Sequence, residues 1–188
     1  MSYFKFSLKQ LAATVVGAAI FFLLARFLSY PIPVIGGVFL NIKVNLQYAV
    51  LVAFAVIFGP ICGSLIGLTG HFLTYLSFGD GILWSTIIAT VSVGLLSGFI
   101  FKPCKIEKGD FDGMDVVRFI ICSMLVSLVS WGLVKPFGDI FLYLLPPESS
   151  FEQGFISGAG NFIIIVIAGT LLILGYLKTR VKKITPDV

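Results

Sequence analysis

One histidine, His71, stands inside an apolar run, and Thr74 and Tyr75 follow it at helical spacing. Positions three and four apart share a helix face, so this segment presents an imidazole, a hydroxyl and a phenol together. A second set, Asn45, Gln47 and Tyr48, opens another apolar segment, with Asn41 and Lys43 just before it. Ser123, Ser127, Ser130 and Trp131 share a helical face and lead into Lys135 and Asp139. Asp80, Trp84, Ser85 and Thr86 begin a further segment, and Asn161 follows the small residues of "SGAGN". These are amide, imidazole, hydroxyl and lysine hydrogen-bonding groups, two aspartates, and aromatic rings. That chemistry suits noncovalent capture of a small flat polar molecule. It calls for no metal and no cofactor.

Each residue also has a purely structural use. A lone histidine near a helix end can bond between helices, and Trp84, Trp131 and Tyr48 fall where an interfacial aromatic belt is expected. Serines bond back to the preceding turn, and Lys135 and Asp139 have the spacing of a surface ion pair. The convergence of these residues at one depth is what favours a pocket.

The elements that would position them are apolar and long. The chain has 188 residues, of which 58% are hydrophobic and 12% charged. A soluble domain carries about 25% charge, so a bilayer-embedded protein is expected. Six segments, roughly 10–28, 46–59, 60–77, 82–101, 116–134 and 155–177, read as membrane helices of one domain, 1–188. Gly59-Pro60 cuts the second from the third, because proline lacks a donor and disfavours helix before it. The basic start "MSYFKFSLKQ" resembles a signal peptide. The apolar stretch behind it exceeds the roughly 7–15 residues of a cleavable core, so it is expected to remain as a first helix. Cys62, Cys104 and Cys122 have no disulfide or metal-ligand spacing and read as reduced thiols.

Of the 13 lysines and arginines, all but Arg26, Lys43 and Lys135 fall on the side of the two termini. By the positive-inside rule both termini then face the cytoplasm, and the positive charge belongs to headgroup contacts, with no nucleic acid implied. The polar sets above would lie in the outer halves of five helices, as a cup open to the outside. The connector 29–45 lies on the outer side and 102–115 on the cytoplasmic side. On the first helix, Ala13-x-x-x-Gly17 and Thr14-x-x-x-Ala18 place small residues four apart, which allows close approach by a helix of this bundle or of another chain.

The stretch "LQYAVLVAFAVIFGPICGSLIGLTGHFLTY" (46–75) resembles the substrate-binding S components of energy-coupling factor (ECF) vitamin transporters. It is most similar to the riboflavin-type family, in its Q-Y-A start, F-G-P reversal and G-x-x-G-H ending. The resemblance extends over the chain in layout, giving an all-α membrane bundle of six helices. It implies outer-face capture of a vitamin, then association with a transmembrane coupling subunit (EcfT type) driven by two ATPase subunits in a bacterial plasma membrane. It also implies that the small residues of the first helix, here Ala13, Gly17 and Ala18, meet that coupling subunit. The family has alanine at both ends of the motif, where this chain has Ala13 then Gly17. The 29–45 connector would be a lid. The substrate-binding residues expected are Asn41, Lys43, Asn45, Gln47, Tyr48, His71, Tyr75, Asp80, Trp84, Ser127, Trp131, Lys135 and Asn161. Hydroxymethylpyrimidine, pyridoxine and riboflavin are the ligand types in view.

The chain has no Gly-rich phosphate loop ending in Lys-Ser or Lys-Thr, so ATP hydrolysis would come from partners. Two rivals remain. One is a stand-alone channel or facilitator, disfavoured by the apolar inner halves. The other is an intramembrane serine hydrolase, but Ser97-Gly98 lacks a glycine two residues before the serine. Ser97 and His71 also fall at opposite ends of their helices, which at 1.5 Å rise per residue separates them by more than about 10 Å.

Overall fold

A computed structural model describes residues 7–28, 30–31, 43–79, 81–101, 106 and 111–181. Asn41, Asp80, Cys104 and most of the 29–45 and 102–115 connectors lie outside the described residues, as does the side chain of Lys43.

Helix α1 (Leu8–Phe27) begins with a capping box: Ser7 Oγ accepts from the Gln10 N–H, and the Ser7 N–H donates to Gln10 Oε1. The same Gln10 reaches across the bundle, its Nε2 donating to the Phe58 carbonyl at 2.8 Å. That carbonyl belongs to the last turn of α2 (Gln47–Phe58), which has no helical donor of its own. One side chain thus closes the start of one helix and the end of the next.

Helix α2 is short, but its sequence QYAVLVAFAVIF buries all residues except Phe54 and Phe58. A helix apolar all round belongs in the middle, and α2 packs against α1 and against the helices that start at Pro60, Trp84 and Pro147. Gly59, at φ +101°, ends it in a backbone region open mainly to glycine. Pro60 then starts α3 (Pro60–Phe78) at the first helical position, where its missing N–H costs nothing.

Helix α4 (Trp84–Ile100) packs along α3 at backbone-to-backbone range. A Cβ placed on Gly63 would stand 2.5 Å from Ala55 Cβ and 2.7 Å from the Gly94 carbonyl oxygen, so only glycine fits there. Close packing of this kind replaces the hydrophobic driving force that lipid does not supply between helices.

Helix α5 (Gly113–Tyr143) starts on Asp112, whose side chain accepts from the Asp115 N–H. It does not stop near Val134, where the "KPFGD" sequence reads as a terminus. It widens into a π turn at Ser130–Val134 and continues as α-helix over Lys135–Tyr143. The reason lies in Pro136. Its ring has no N–H and would press on the carbonyl four residues back, and the extra residue of a π turn accommodates it. The turn closes with the Lys135 N–H donating to the Ser130 carbonyl.

Helix α6 begins at Pro147, ahead of the apolar stretch that starts near 155. It runs through Pro147–Ile164, a second π turn at Ile165–Gly169, and Thr170–Val181. "ESSFEQG" is polar yet helical, because Pro147 sits in the first turn and Ser150 caps back onto the Pro146 carbonyl.

The bundle therefore has six helical rods among the described residues. Four are long and apolar enough to cross a membrane: Leu8–Phe27, Pro60–Phe78, Gly113–Tyr143 and Pro147–Thr179. Gln47–Phe58 and Trp84–Ile100 are shorter apolar helices. Large apolar side chains such as Val15, Leu76, Leu128 and Ile167 face outward, as lipid contact requires. Among the described residues, the one departure from helix in regular structure is a two-residue antiparallel pair, Tyr30–Pro31 with Lys43–Val44, in the register Tyr30↔Val44 and Pro31↔Lys43.

Ala13, Gly17 and Ala18 lie on the buried face of α1. A Cβ on Gly17 would stand 2.9 Å from Phe54 and closer still to Ile66. The small residues of α1 therefore serve packing inside the bundle, and the face they would offer to another chain is occupied by α2 and α3.

Candidate binding site

The start of α2, the second half of α3, the π turn of α5 and the middle of α6 meet at one end of the bundle. Tyr48, 2% exposed, is the centre of this meeting. Its hydroxyl is hydrogen-bonded to His71 Nε2 at 2.9 Å. The Trp131 ring stands edge-on to it, with centroids 5.1 Å apart and planes at 82°. On its other side His71 stacks with Tyr75 at 5.7 Å and 24°. Four of the expected residues, from three helices, thus form one aromatic box.

Phe21 of α1 completes the box and was not among the expected site residues. It is fully buried, edge-on to Tyr48 at 5.9 Å and to His71 at 5.2 Å. Its access is granted by Gly70, where a Cβ would stand 2.5 Å from Phe21 Cδ1. A glycine directly before the lone histidine was the available signal; nothing about Phe21 itself sets it apart from the other phenylalanines.

An amide chain borders the box. Gln47 Nε2 donates to Asn45 Oδ1, and Asn45 Nδ2 donates to Asn161 Oδ1, both at 3.3 Å. Asn45 directly follows the β pair, so this chain also ties that pair to α6.

Buried polar atoms are normally hydrogen-bonded, and here several are not. Gln47 Oε1, His71 Nδ1, Trp131 Nε1, Asn161 Nδ2 and Ser127 Oγ have no partner among the described residues. Their residues are between 1% and 8% exposed. The first four belong to the box and the amide chain, which adjoin through the neighbouring residues Gln47 and Tyr48. Such an arrangement can hold a planar ring by stacking and by its polar edge. Thr170 Oγ1, further along α6, is also unpartnered and was not singled out from the sequence.

The remaining expected residues lie apart from the box. Lys135 forms an ion pair with Asp139, and Ser85 of α4 donates to the other Asp139 oxygen. This trio, with Asp139 and Ser85 buried and Lys135 half-buried, joins α4 to α5 with its charges mutually neutralised. Trp84 is 47% exposed on the outer surface near Phe72, and the Trp84 backbone N–H donates to the Tyr143 hydroxyl. Ser127 lines a groove of about 250 Å³ between α5 and α6 with Met124, Leu128, Phe155 and Phe162. A second cavity, of about 230 Å³, lies at the opposite end of the bundle beside Phe101, Phe111 and Arg118. Neither contains the box residues. The box is defined by its unpartnered polar atoms, which are a more direct mark of ligand chemistry than an apolar groove. Among the described residues no three metal-ligating side chains come together.

The chain matches the model of the family described as "ECF-type riboflavin transporter, S component" over residues 5–178. It is 37% identical over 178 residues to a UPF0397 protein of Streptococcus pneumoniae (strain Taiwan19F-14), covering 95% of this chain and 94% of that one. A UPF0397 protein of Lactococcus lactis subsp. cremoris (strain NZ9000) is 37% identical over 181 residues, covering 96% and 97%. No solved structure gives a significant match.

Proposed function

The chain belongs to the ECF-type riboflavin transporter S component family, and from that premise we propose that it captures one water-soluble vitamin or vitamin precursor with high affinity. The ligand is a flat nitrogen heterocycle of the hydroxymethylpyrimidine, pyridoxine or riboflavin type. It sits among Tyr48, His71, Trp131, Gln47, Asn45 and Asn161. The observation that carries this reading is the set of buried, unpartnered donors and acceptors gathered around the aromatic box.

Both termini face the cytoplasm of a bacterial cell and the box faces outward. Uptake is energised by a transmembrane coupling subunit and two ATPase subunits, since the sequence holds no phosphate-binding loop of its own. With Ala13, Gly17 and Ala18 turned into the bundle, the face of α1 left for the coupling subunit carries Ala12, Val15, Val16 and Ala19.

The test is identification of the small molecule that copurifies with the detergent-solubilised protein by mass spectrometry. Calorimetric titration of hydroxymethylpyrimidine, pyridoxine and riboflavin follows. One of them is expected to bind with a submicromolar dissociation constant. Absence of any such ligand would refute the capture reading.

A further inference from the structure

The amide chain at the site has a direction. Gln47 donates to Asn45 and Asn45 donates to Asn161. Turning one of the three amides alone would set donor against donor or acceptor against acceptor, so the three keep a common sense. Two ends are left over: the acceptor Gln47 Oε1 and the donor Asn161 Nδ2, neither partnered among the described residues. Gln47 is 3% exposed and Asn161 1%. Trp131 Nε1–H, a group that can only donate, is buried and unpartnered as well.

We propose that Gln47 is the specificity-determining residue of this site: its Oε1 accepts from an N–H or O–H on the edge of a planar heterocycle. An acceptor on the same ring, a carbonyl or ring nitrogen, takes the N–H of Asn161 or Trp131. The inference rests on the capture reading above and narrows it to rings that carry both a donor and an acceptor. A ring without the donor leaves Gln47 Oε1 buried and unmet, which is how a built hydrogen-bonding site rejects close analogues. Gln47 suits this role because it stands at the first position of α2, the most enclosed helix of the bundle, with its amide nitrogen already fixed on Asn45.

The experiment uses the full-length protein in detergent and matched probe pairs that differ by blocking the donor. The pairs are riboflavin with 3-methylriboflavin, hydroxymethylpyrimidine with its 4-dimethylamino analogue, and pyridoxine with its 3-O-methyl ether. For the pair that binds, the blocked probe is expected to bind wild type about ten- to a hundred-fold more weakly, the size of one buried hydrogen bond. In Gln47→Met, which keeps length and removes the acceptor, that ratio is expected to fall below about threefold. Gln47→Asn, which withdraws the amide by one methylene, is the second variant should the first fail to fold, with the same expected loss of ratio. Equal binding of both members of a pair to wild type would overturn the inference. So would a ratio that survives both substitutions, which would assign the discrimination to steric exclusion of the methyl group. Failure of every probe to bind wild type would overturn the capture reading, and this inference with it.

Discussion

Tyr48→Phe removes one oxygen from the middle of the box and leaves every ring in place. The edge-on contacts of the ring with Trp131 at 5.1 Å and Phe21 at 5.9 Å survive, because they involve the ring and not the hydroxyl. What is lost is the 2.9 Å hydrogen bond to His71 Nε2. His71 Nδ1 has no partner among the described residues, so both nitrogens of a buried imidazole would then be unmet there. Hydrogen bonds between membrane helices average about 0.6 kcal/mol and reach about 1.7 kcal/mol. Because this substitution strands the whole imidazole, the upper end applies, and we expect a loss of about 1.5 kcal/mol. For a chain of this size that lowers the unfolding temperature by about 3–6 °C. The assay is thermal unfolding in detergent of wild type, Tyr48→Phe, His71→Leu and the double variant. The two single effects should couple by about 1 kcal/mol. Additivity within about 0.5 kcal/mol, or wild-type stability of Tyr48→Phe, would refute the role of this bond. A positive result divides the histidine between two tasks: Nε2 braces α3 against α2, and Nδ1 is left for the ligand.

Gly63→Leu should separate α3 from α4, since even a Cβ there meets the Gly94 carbonyl oxygen at 2.7 Å; overpacking of about 1–3 kcal/mol is expected, read as a lower unfolding temperature and loss of a monodisperse gel-filtration peak. Asp139→Leu should cost about 3–5 kcal/mol by stranding the Lys135 ammonium, and adding Lys135→Met should restore most of it; a double variant as unstable as the single one would refute the pairing argument. Phe21→Ala should cost about 3–5 kcal/mol in stability and also weaken ligand binding, because the box loses the wall behind Tyr48 and His71; normal affinity in a variant that still folds would remove Phe21 from the site.

The sequence made the site visible wherever polarity was costly. His71, Asn161 and Gln47 stand out because an imidazole or amide in an apolar run needs a reason, and the structure bonds His71 to Tyr48 and links Gln47 to Asn161 through Asn45. Phe21 was invisible for the opposite cause: a phenylalanine in a lipid-facing helix and one in a buried box look alike. Ala13 and Gly17 show the limit of spacing arguments, since the same small stripe fits an internal and an external neighbour, and only Ile66 and Phe54 decide which. Lys135 and Asp139 were legible as a pair at helical spacing, but their burial against Ser85 was not, because it depends on α5 continuing past Pro136. The two-residue β pair carries too few residues to leave a pattern.

The π turn at Ser130–Val134 has a consequence for chain length. It holds one residue more than an α turn needs, so loss of a single residue there, together with replacement of Pro136, would close it to an ordinary turn and leave Asp139 facing Ser85. Loss of a residue earlier in α5 would instead rotate everything downstream by about 100° and turn Asp139 away from Ser85. Once Pro136 is replaced, the turn is therefore the point at which this helix best tolerates a deletion, and it is also the point that carries Trp131. Such a change would alter the surroundings of Trp131 while the ion pair and the helix frame beyond it stay in register.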